Sequence, residues 1–191
     1  MKDLPVLENE FVKLTPPVLT PENIKLYSGW LEEPKIIRGT GQLKKLSEKE
    51  IAELLTQWRE DPLKLHWLIY LKKGEGQIPV GDLNLDIITK DNEKEYSEFS
   101  ADPKFNSIFP KAGIGIMISS SYERLKIGKS VTQFAIEQGF NRMGLNAIYA
   151  SIYSDNQGSL NLFEKVGFRK IANSIEERTG RDEWVLRLEK N

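Results

Sequence analysis

Residues 112–168 constrain this chain more than any other stretch, because apolar spacing there switches between two periods in a fixed order. Residues 112–118 form an apolar run containing Gly113 and Gly115. That suits a strand that bulges, or one that another backbone or a ligand approaches closely. From Ile127 onward, Val131, Phe134, Ala135 and Gln138 share one helical face, so a helix starts near residues 126–130. Residues 146–153 make a second apolar strand. Ser154, Asp155 and Asn156 are consecutive N-cap types, and Leu160, Phe163 and Val166 mark the buried face of a short helix. Gly167 is its C-terminal stop, and Phe168 opens another strand. The predicted order is strand, turn, helix, strand, capped helix, strand.

The turn before the first of these helices carries Arg124, Lys126 and Lys129. A pyrophosphate needs backbone N–H groups without intrahelical acceptors and a helix N-terminus, and residues 124–130 can supply both. Taken alone, the same turn also reads as an ordinary strand-to-helix connection with solvated lysines, since a single Gly128-x-Ser130 turn is weak evidence.

Upstream, residues 11–15 alternate and are stopped by Pro16 and Pro17, which predicts a first strand. Thr20, Pro21 and Glu22 are a helix start, and that helix should run to about Leu31 with Ile24, Tyr27, Trp30 and Leu31 on its buried side. Ser47 with Glu50 has capping-box spacing and opens a second helix with Ile51, Leu54, Leu55 and Trp58 inward. Residues 66–72 and 79–88, joined through Gly74, Glu75 and Gly76, read as an antiparallel hairpin. Residues 89–111 are polar, charged and proline-interrupted, a long connection of the functional or disordered kind.

With 191 residues the chain is long enough for one domain with a substantial core, and residues 1–191 are expected to form a single domain. A formal charge of -1 gives no electrostatic reason to expect nucleic acid or an anionic membrane as partner. Absence of Cys excludes thiolate catalysis, disulfides and thiolate metal sites. No signal-peptide core or membrane-length run is present, so a soluble cytoplasmic protein, monomer or homodimer, is expected.

The block Asn156, Ser159, Leu162-Phe163, Lys165, Gly167-Phe168 resembles a motif of the GCN5-related N-acetyltransferases (the GNAT superfamily). There the usual order is Asn, then Ala or Ser three residues on, a hydrophobic-Tyr pair, a basic residue and Gly-Phe. The segment Trp30-Leu31-Glu32-Glu33-Pro34 is similar to the branch that acetylates ribosomal-protein N-termini, and to its small-amine relatives. The resemblance implies an α/β (α+β) fold with a central, mostly antiparallel sheet, splayed between its fourth and fifth strands and flanked by helices. It implies transfer of acetyl from acetyl-coenzyme A to a primary amine, on a protein N-terminus or a small molecule, by direct attack. Cofactor contacts would come from Ile116, Met117 and Ile118, from Arg124, Leu125, Lys126, Ile127, Gly128, Lys129 and Ser130, and from Asn156 and Ser159. No metal is implied. By analogy, Glu32, Glu33, Asp91, Glu93, Glu95, Glu98 and Asp102 would rim the mouth where the amine enters.

Departures from the family pattern matter as much. Glu123 stands where Gln or Arg is usual, and Lys126 replaces the first loop glycine, which a lysine can do comfortably at negative φ. Phe163 occupies the place of a proton-donating Tyr, and Gly113 the place of a Glu base. Ser159 is then the first candidate acid and Tyr153 the second, each also readable as a cap, packing or cofactor contact. Asp82 and Asp86 share a strand face with Asn84, so Asp82 is a candidate base, or one of a solvated row. A calcium loop fails at these acids because Ile87 sits where Gly is required. His66 is the only histidine and is expected to pack at a strand start. Loss of the Tyr and Glu keeps a non-catalytic acyl-coenzyme A-binding regulatory module as the alternative.

Overall fold

A computed structural model describes residues 4–190. In chain order it contains β1 (Leu7–Glu8), β2 (Val12–Thr15), α1 (Pro21–Trp30), α2 (Pro34–Thr40), α3 (Glu48–Glu60), β3 (Lys64–Lys73) and β4 (Gly76–Ile88). Then follow β5 (Lys111–Ile118), α4 (Ile127–Glu137), β6 (Ala147–Tyr153), α5 (Gln157–Lys165), β7 (Arg169–Glu176) and β8 (Arg181–Glu189). The strands hydrogen-bond in the order β1-β2-β3-β4-β5-β6-β8-β7, a mixed sheet flanked by helices. Among the described residues, no helix is long and apolar enough to cross a membrane. Two compact units result, one of residues up to Asn84 with Ile116–Val131, the other of Leu85–Gly115 with the chain from Thr132.

In the first unit the helix starts follow the expected chemistry. Thr20 accepts from the Asn23 amide and Pro21 takes the first helical position. Ser47 and Glu50 complete both halves of a capping box. Each such cap is worth about 1 kcal/mol, because it satisfies amides that the first helical turn leaves without acceptors. α2 was not anticipated, although Pro34 at its start and Gly41 at φ 64° after its end are the standard punctuation. Tyr27 and Trp30 of α1, Ile36 of α2, Ile51 and Leu55 of α3 and Leu68 of β3 form one buried cluster. Trp58, Tyr70 and Met117 pack against it.

β4 meets the end of β5 unusually closely. A Cβ on Gly81 would lie 2.0 Å from the Met117 carbonyl oxygen and 2.9 Å from the Ile118 Cα, both backbone atoms. No side-chain rotation can relieve that contact, so glycine is obligatory there.

In the second unit β6 pairs with β5 in parallel over Lys111–Gly113 against Ala147–Tyr149, and with β8 antiparallel along its whole length. With the short β1 set aside, β5 and β6 are the fourth and fifth strands. Their shared ladder is three residues long although β6 runs on to Tyr153.

The connection before β5 differs from expectation. Residues 89–110 fold back as short 3₁₀ turns whose Tyr96, Phe99 and Phe105 enter the core with Ile88, Ala147, Tyr149 and Val185. Asp102, 2% exposed, accepts from the Tyr149 hydroxyl at 2.9 Å and from the Arg187 guanidinium. The fully buried Lys111 ammonium donates to the Phe105 carbonyl and lies over the rings of Phe105 and Phe109. Burial lowers the Lys111 pKa, opposed by Glu93 and Asp102. Gly113 owes its missing side chain to this segment, since a Cβ there would come within 3.2 Å of the Phe99 ring. A core aromatic thus fills the space where the resemblance implied a Glu.

Two glycine substitutions should separate contact from conformation. Gly81→Ala should lower stability in denaturant unfolding by about 1–3 kcal/mol, the range for overpacking. Gly29→Ala in α1 meets nothing within 4 Å and should instead raise it by roughly 0.5–1 kcal/mol. Equal behaviour of the two would refute the close approach at Gly81.

Candidate functional site

In the first unit β5 ends in Ile116, Met117 and Ile118, all partly buried. Ser119 donates its amide to the Val80 carbonyl at 2.8 Å, which fixes where the chain leaves the strand. The Ser120 amide and hydroxyl both donate to the Glu33 carboxylate at 2.7 Å, and Lys35 pairs with Glu123 at 2.5 Å. Burial pushes the Glu33 carboxyl up, but hydrogen bonds from Ser120 and Ser119 outweigh it and hold its pKa below the ordinary range. Glu123 is thus directed to Lys35.

Arg124 and Lys126 both adopt left-handed backbone, at φ 64° and 62°. This corrects the expectation of negative φ at Lys126. The lysine keeps the conformation that a loop glycine would take, at a cost of roughly 1–2 kcal/mol for a residue with a Cβ. Strain of this kind persists where the surroundings over-determine it, and it clusters at functional sites. Left-handed residues just ahead of a helix turn successive amides into a concavity suited to anions. α4 begins at once with the buried Ile127, and the Ser130 amide returns to the Lys126 carbonyl at 3.2 Å. Arg124, Leu125, Lys126 and Lys129 are exposed, while Gly128 and Ser130 are half-buried. Three cations, a helix N-terminus and a strained amide turn therefore coincide.

Asp82 is not on a solvated face. It is 6% exposed and lies beside His66, 3% exposed, with Oδ2 3.2 Å from Nε2. The same Nε2 lies 2.9 Å from the Tyr27 hydroxyl, and the Trp58 ring stacks on the imidazole at 4.3 Å. Burial raises the Tyr27 phenol well above its ordinary range, reinforced by the Asp82 charge and by a hydrogen bond to Asp82. His66 and Tyr27 were expected only as packing. Nothing in their spacing along the chain signals that three separate elements bring them together.

The second unit carries the other candidates. Asn156 caps α5 by accepting the Ser159 amide at 3.2 Å, which leaves the Ser159 hydroxyl outside the cap. Phe163 is buried against Phe168 with ring centroids 4.9 Å apart, so hydrophobic packing occupies the family's tyrosine position. The Tyr153 ring lies 3.6 Å under the Arg181 guanidinium, and its hydroxyl is 3.4 Å from Glu176. The Glu176 carboxyl has its pKa lowered to about 2: burial raises it, but hydrogen bonds from Thr179 and Arg178 prevail. Of the expected acidic rim, Glu33 is bonded to Ser120 and Glu32 pairs with Lys45 at 2.5 Å. Asp102 is buried with Arg187, and Glu93 lies 3.8 Å from Lys111. Each of these four acids thus lies beside a cation or a hydrogen-bond donor of the protein itself.

Comparison with known proteins gives the family. The acetyltransferase (GNAT) domain model matches residues 13–169. An N-acetyltransferase 9-like protein of Caenorhabditis briggsae is 31% identical over 159 residues, covering 81% of this chain and 73% of that protein. The alpha/beta-tubulin-N-acetyltransferase 9 of Mus musculus is 24% identical over 164 residues, 81% of this chain and 61% of that protein. Among solved structures, the spermidine N-acetyltransferase of Vibrio cholerae in complex with CoA and spermine is alike in fold. Its TM-score is 0.73 over 95% of this chain and 96% of that one, at 15% identity. The family match runs from β2 through α5, across both the strained turn and the capped helix; the chain belongs to the GNAT acetyltransferase family, and is an acetyltransferase.

Proposed function

We propose that the chain is a single N-acetyltransferase domain that moves acetyl from acetyl-coenzyme A to a primary amine by direct attack. The left-handed turn at Arg124 and Lys126 ahead of α4 carries this reading. Its amides, helix N-terminus and cations match the chemistry of a pyrophosphate. In this reading Ile116, Met117 and Ile118 offer strand backbone to the pantetheine arm, and Asn156 and Ser159 contribute from α5. The thioester is the acyl donor, and holding it beside the amine supplies proximity, which can lower a barrier by several kcal/mol.

Asp82 is the proposed base. The incoming ammonium loses a proton, its nitrogen attacks the carbonyl carbon, the carbon–sulfur bond breaks, and the sulfur leaves with the electron pair and takes up a proton. Ser159 is the preferred donor of that proton. Tyr153 is less suited, because its hydroxyl already faces a carboxylate and its ring is covered by Arg181. For the acceptor, the mouse relative's name points to a protein amine, and the Vibrio cholerae enzyme shares the fold alone. A protein amine is therefore favoured over a polyamine.

Calorimetric titration with coenzyme A and labelled acetyl transfer to a panel of N-terminal peptides and polyamines test the reading. Coenzyme A should raise the melting temperature, since a ligand bound only by the folded state stabilises it. Gly128→Glu should abolish binding in a folded protein; unchanged affinity would place the cofactor elsewhere. Lys126→Gly should act in two directions. It should stabilise the free protein by about 1 kcal/mol through strain relief, while weakening coenzyme A binding by an amount that shrinks as salt rises. A destabilised Lys126→Gly protein would contradict the strain. Ser159→Ala should lower kcat about 10²-fold with coenzyme A affinity retained, the lower end for a positioned general acid. A fully active variant would remove Ser159 from the mechanism.

A further inference from the structure

We propose that His66, held by Tyr27, is the proton-holding partner of Asp82 during acetyl transfer, an inference that rests on the function proposed above. Three polar groups converge from three elements: Tyr27 from α1, His66 from β3 and Asp82 from β4. All three are nearly excluded from solvent. Burying such groups is costly, and apolar residues of similar volume would serve stability as well or better. A titratable cluster retained there suits a task that needs a proton.

The geometry gives the cluster a place to take up a proton, at the Nε2 that faces Asp82. His66 Nε2 lies within reach of both partners, so without a proton it accepts from the Tyr27 hydroxyl at 2.9 Å and with one it donates to Asp82 Oδ2 at 3.2 Å. Adding one proton at Nε2 turns a neutral imidazole–carboxylate pair into an imidazolium–carboxylate pair, and the bond accepted from Tyr27 is exchanged for one donated to Asp82. The groups packed around the imidazole are the Tyr27 phenol, the Asp82 carboxylate and the uncharged Trp58 ring; Tyr70 acts electrostatically on Tyr27.

The cluster also borders the strand that would carry the donor. Asp82 follows Gly81, whose Cα lies against the Met117 carbonyl, and Met117 packs on the apolar group that contains Tyr27. In the reaction the substrate ammonium gives one proton to the Asp82–His66 pair. Its nitrogen bonds to the carbonyl carbon and the thiolate departs to be protonated. The amide nitrogen sheds its second proton, and the pair returns its own to water. The balance is one amide and one thiol formed, with one proton released. Asp82 is the group that faces the amine, while His66 and Tyr27 are positioning residues that act through it.

The test uses the full chain, with kcat/KM measured against pH and the imidazole titrated by NMR. His66 is the only histidine, so its resonances need no assignment. In the wild type the midpoint of the rise in kcat/KM with pH should coincide with the imidazole midpoint. Tyr27→Phe, which keeps the ring and removes the hydroxyl, should move both midpoints together. His66→Gln should lower kcat about 10²-fold, leave the KM for acetyl-coenzyme A unchanged and abolish that midpoint. A rate profile that stays put while Tyr27→Phe shifts the imidazole would overturn the proposal, as would wild-type kinetics in His66→Gln. Should His66→Gln fail to fold, the paired midpoints in Tyr27→Phe still decide. A wild type that binds coenzyme A yet acetylates no amine would overturn both this inference and the function beneath it. Normal turnover that ignores the imidazole would overturn only the inference.

Discussion

The contact of β4 with the end of β5 at Gly81 sets the conditions for the rest of the first unit. Two backbones meet there with no room for a Cβ, and two residues later Ser119 is bonded to the Val80 carbonyl. The chain must therefore leave the sheet at a defined point. Glu33 then takes both donors of Ser120, so the segment after Trp30 holds the start of the turn while α4 holds its end. Between these anchors Arg124 and Lys126 take left-handed backbone. Strained backbone of this kind persists where its surroundings hold it, and such turns suit anions.

Buried polar groups divide into two kinds here. In the second unit Asp102, Tyr149, Arg187 and Lys111 tie residues 89–110 to β5, β6 and β8. Each has a partner, so their desolvation is offset, and removal of one member would strand the others at a cost of about 3–5 kcal/mol for a buried ion pair. The Tyr27–His66–Asp82 cluster is smaller and contains a histidine, the one side chain that ordinarily titrates near neutrality. The first network is read as architecture, and the second as proton chemistry.

Packing occupies the two positions where the resemblance implied a Glu and a Tyr. Gly113 faces Phe99, so the strand position that elsewhere bears a Glu has been given to the core. Phe163 packs on Phe168 in the same way. With the base and acid of the common pattern gone, a carboxylate supported by a histidine on the β3–β4 side is a chemically coherent substitute.

Local chemistry was legible in the chain. Thr20 with Pro21, and Ser47 with Glu50, announced α1 and α3, because capping depends on residues three apart. The period switches of residues 112–168 placed β5, α4, β6 and α5, and with the Asn156 motif they named the family and its fold. Pro34 and Gly41 bracket α2, and Tyr96, Phe99 and Phe105 are the aromatics that carry the connection before β5 into the core. The φ of Lys126, the partner of Glu33 and the junction of Tyr27, His66 and Asp82 were decided only in three dimensions. Each depends on elements far apart in sequence closing on one another, and hydrogen bonds over such separations leave no periodic trace in the residues that make them. The sequence by itself determined most of the elements and gathered three cations at one turn; the tertiary structure decided how that turn is strained and which polar groups meet beneath α1.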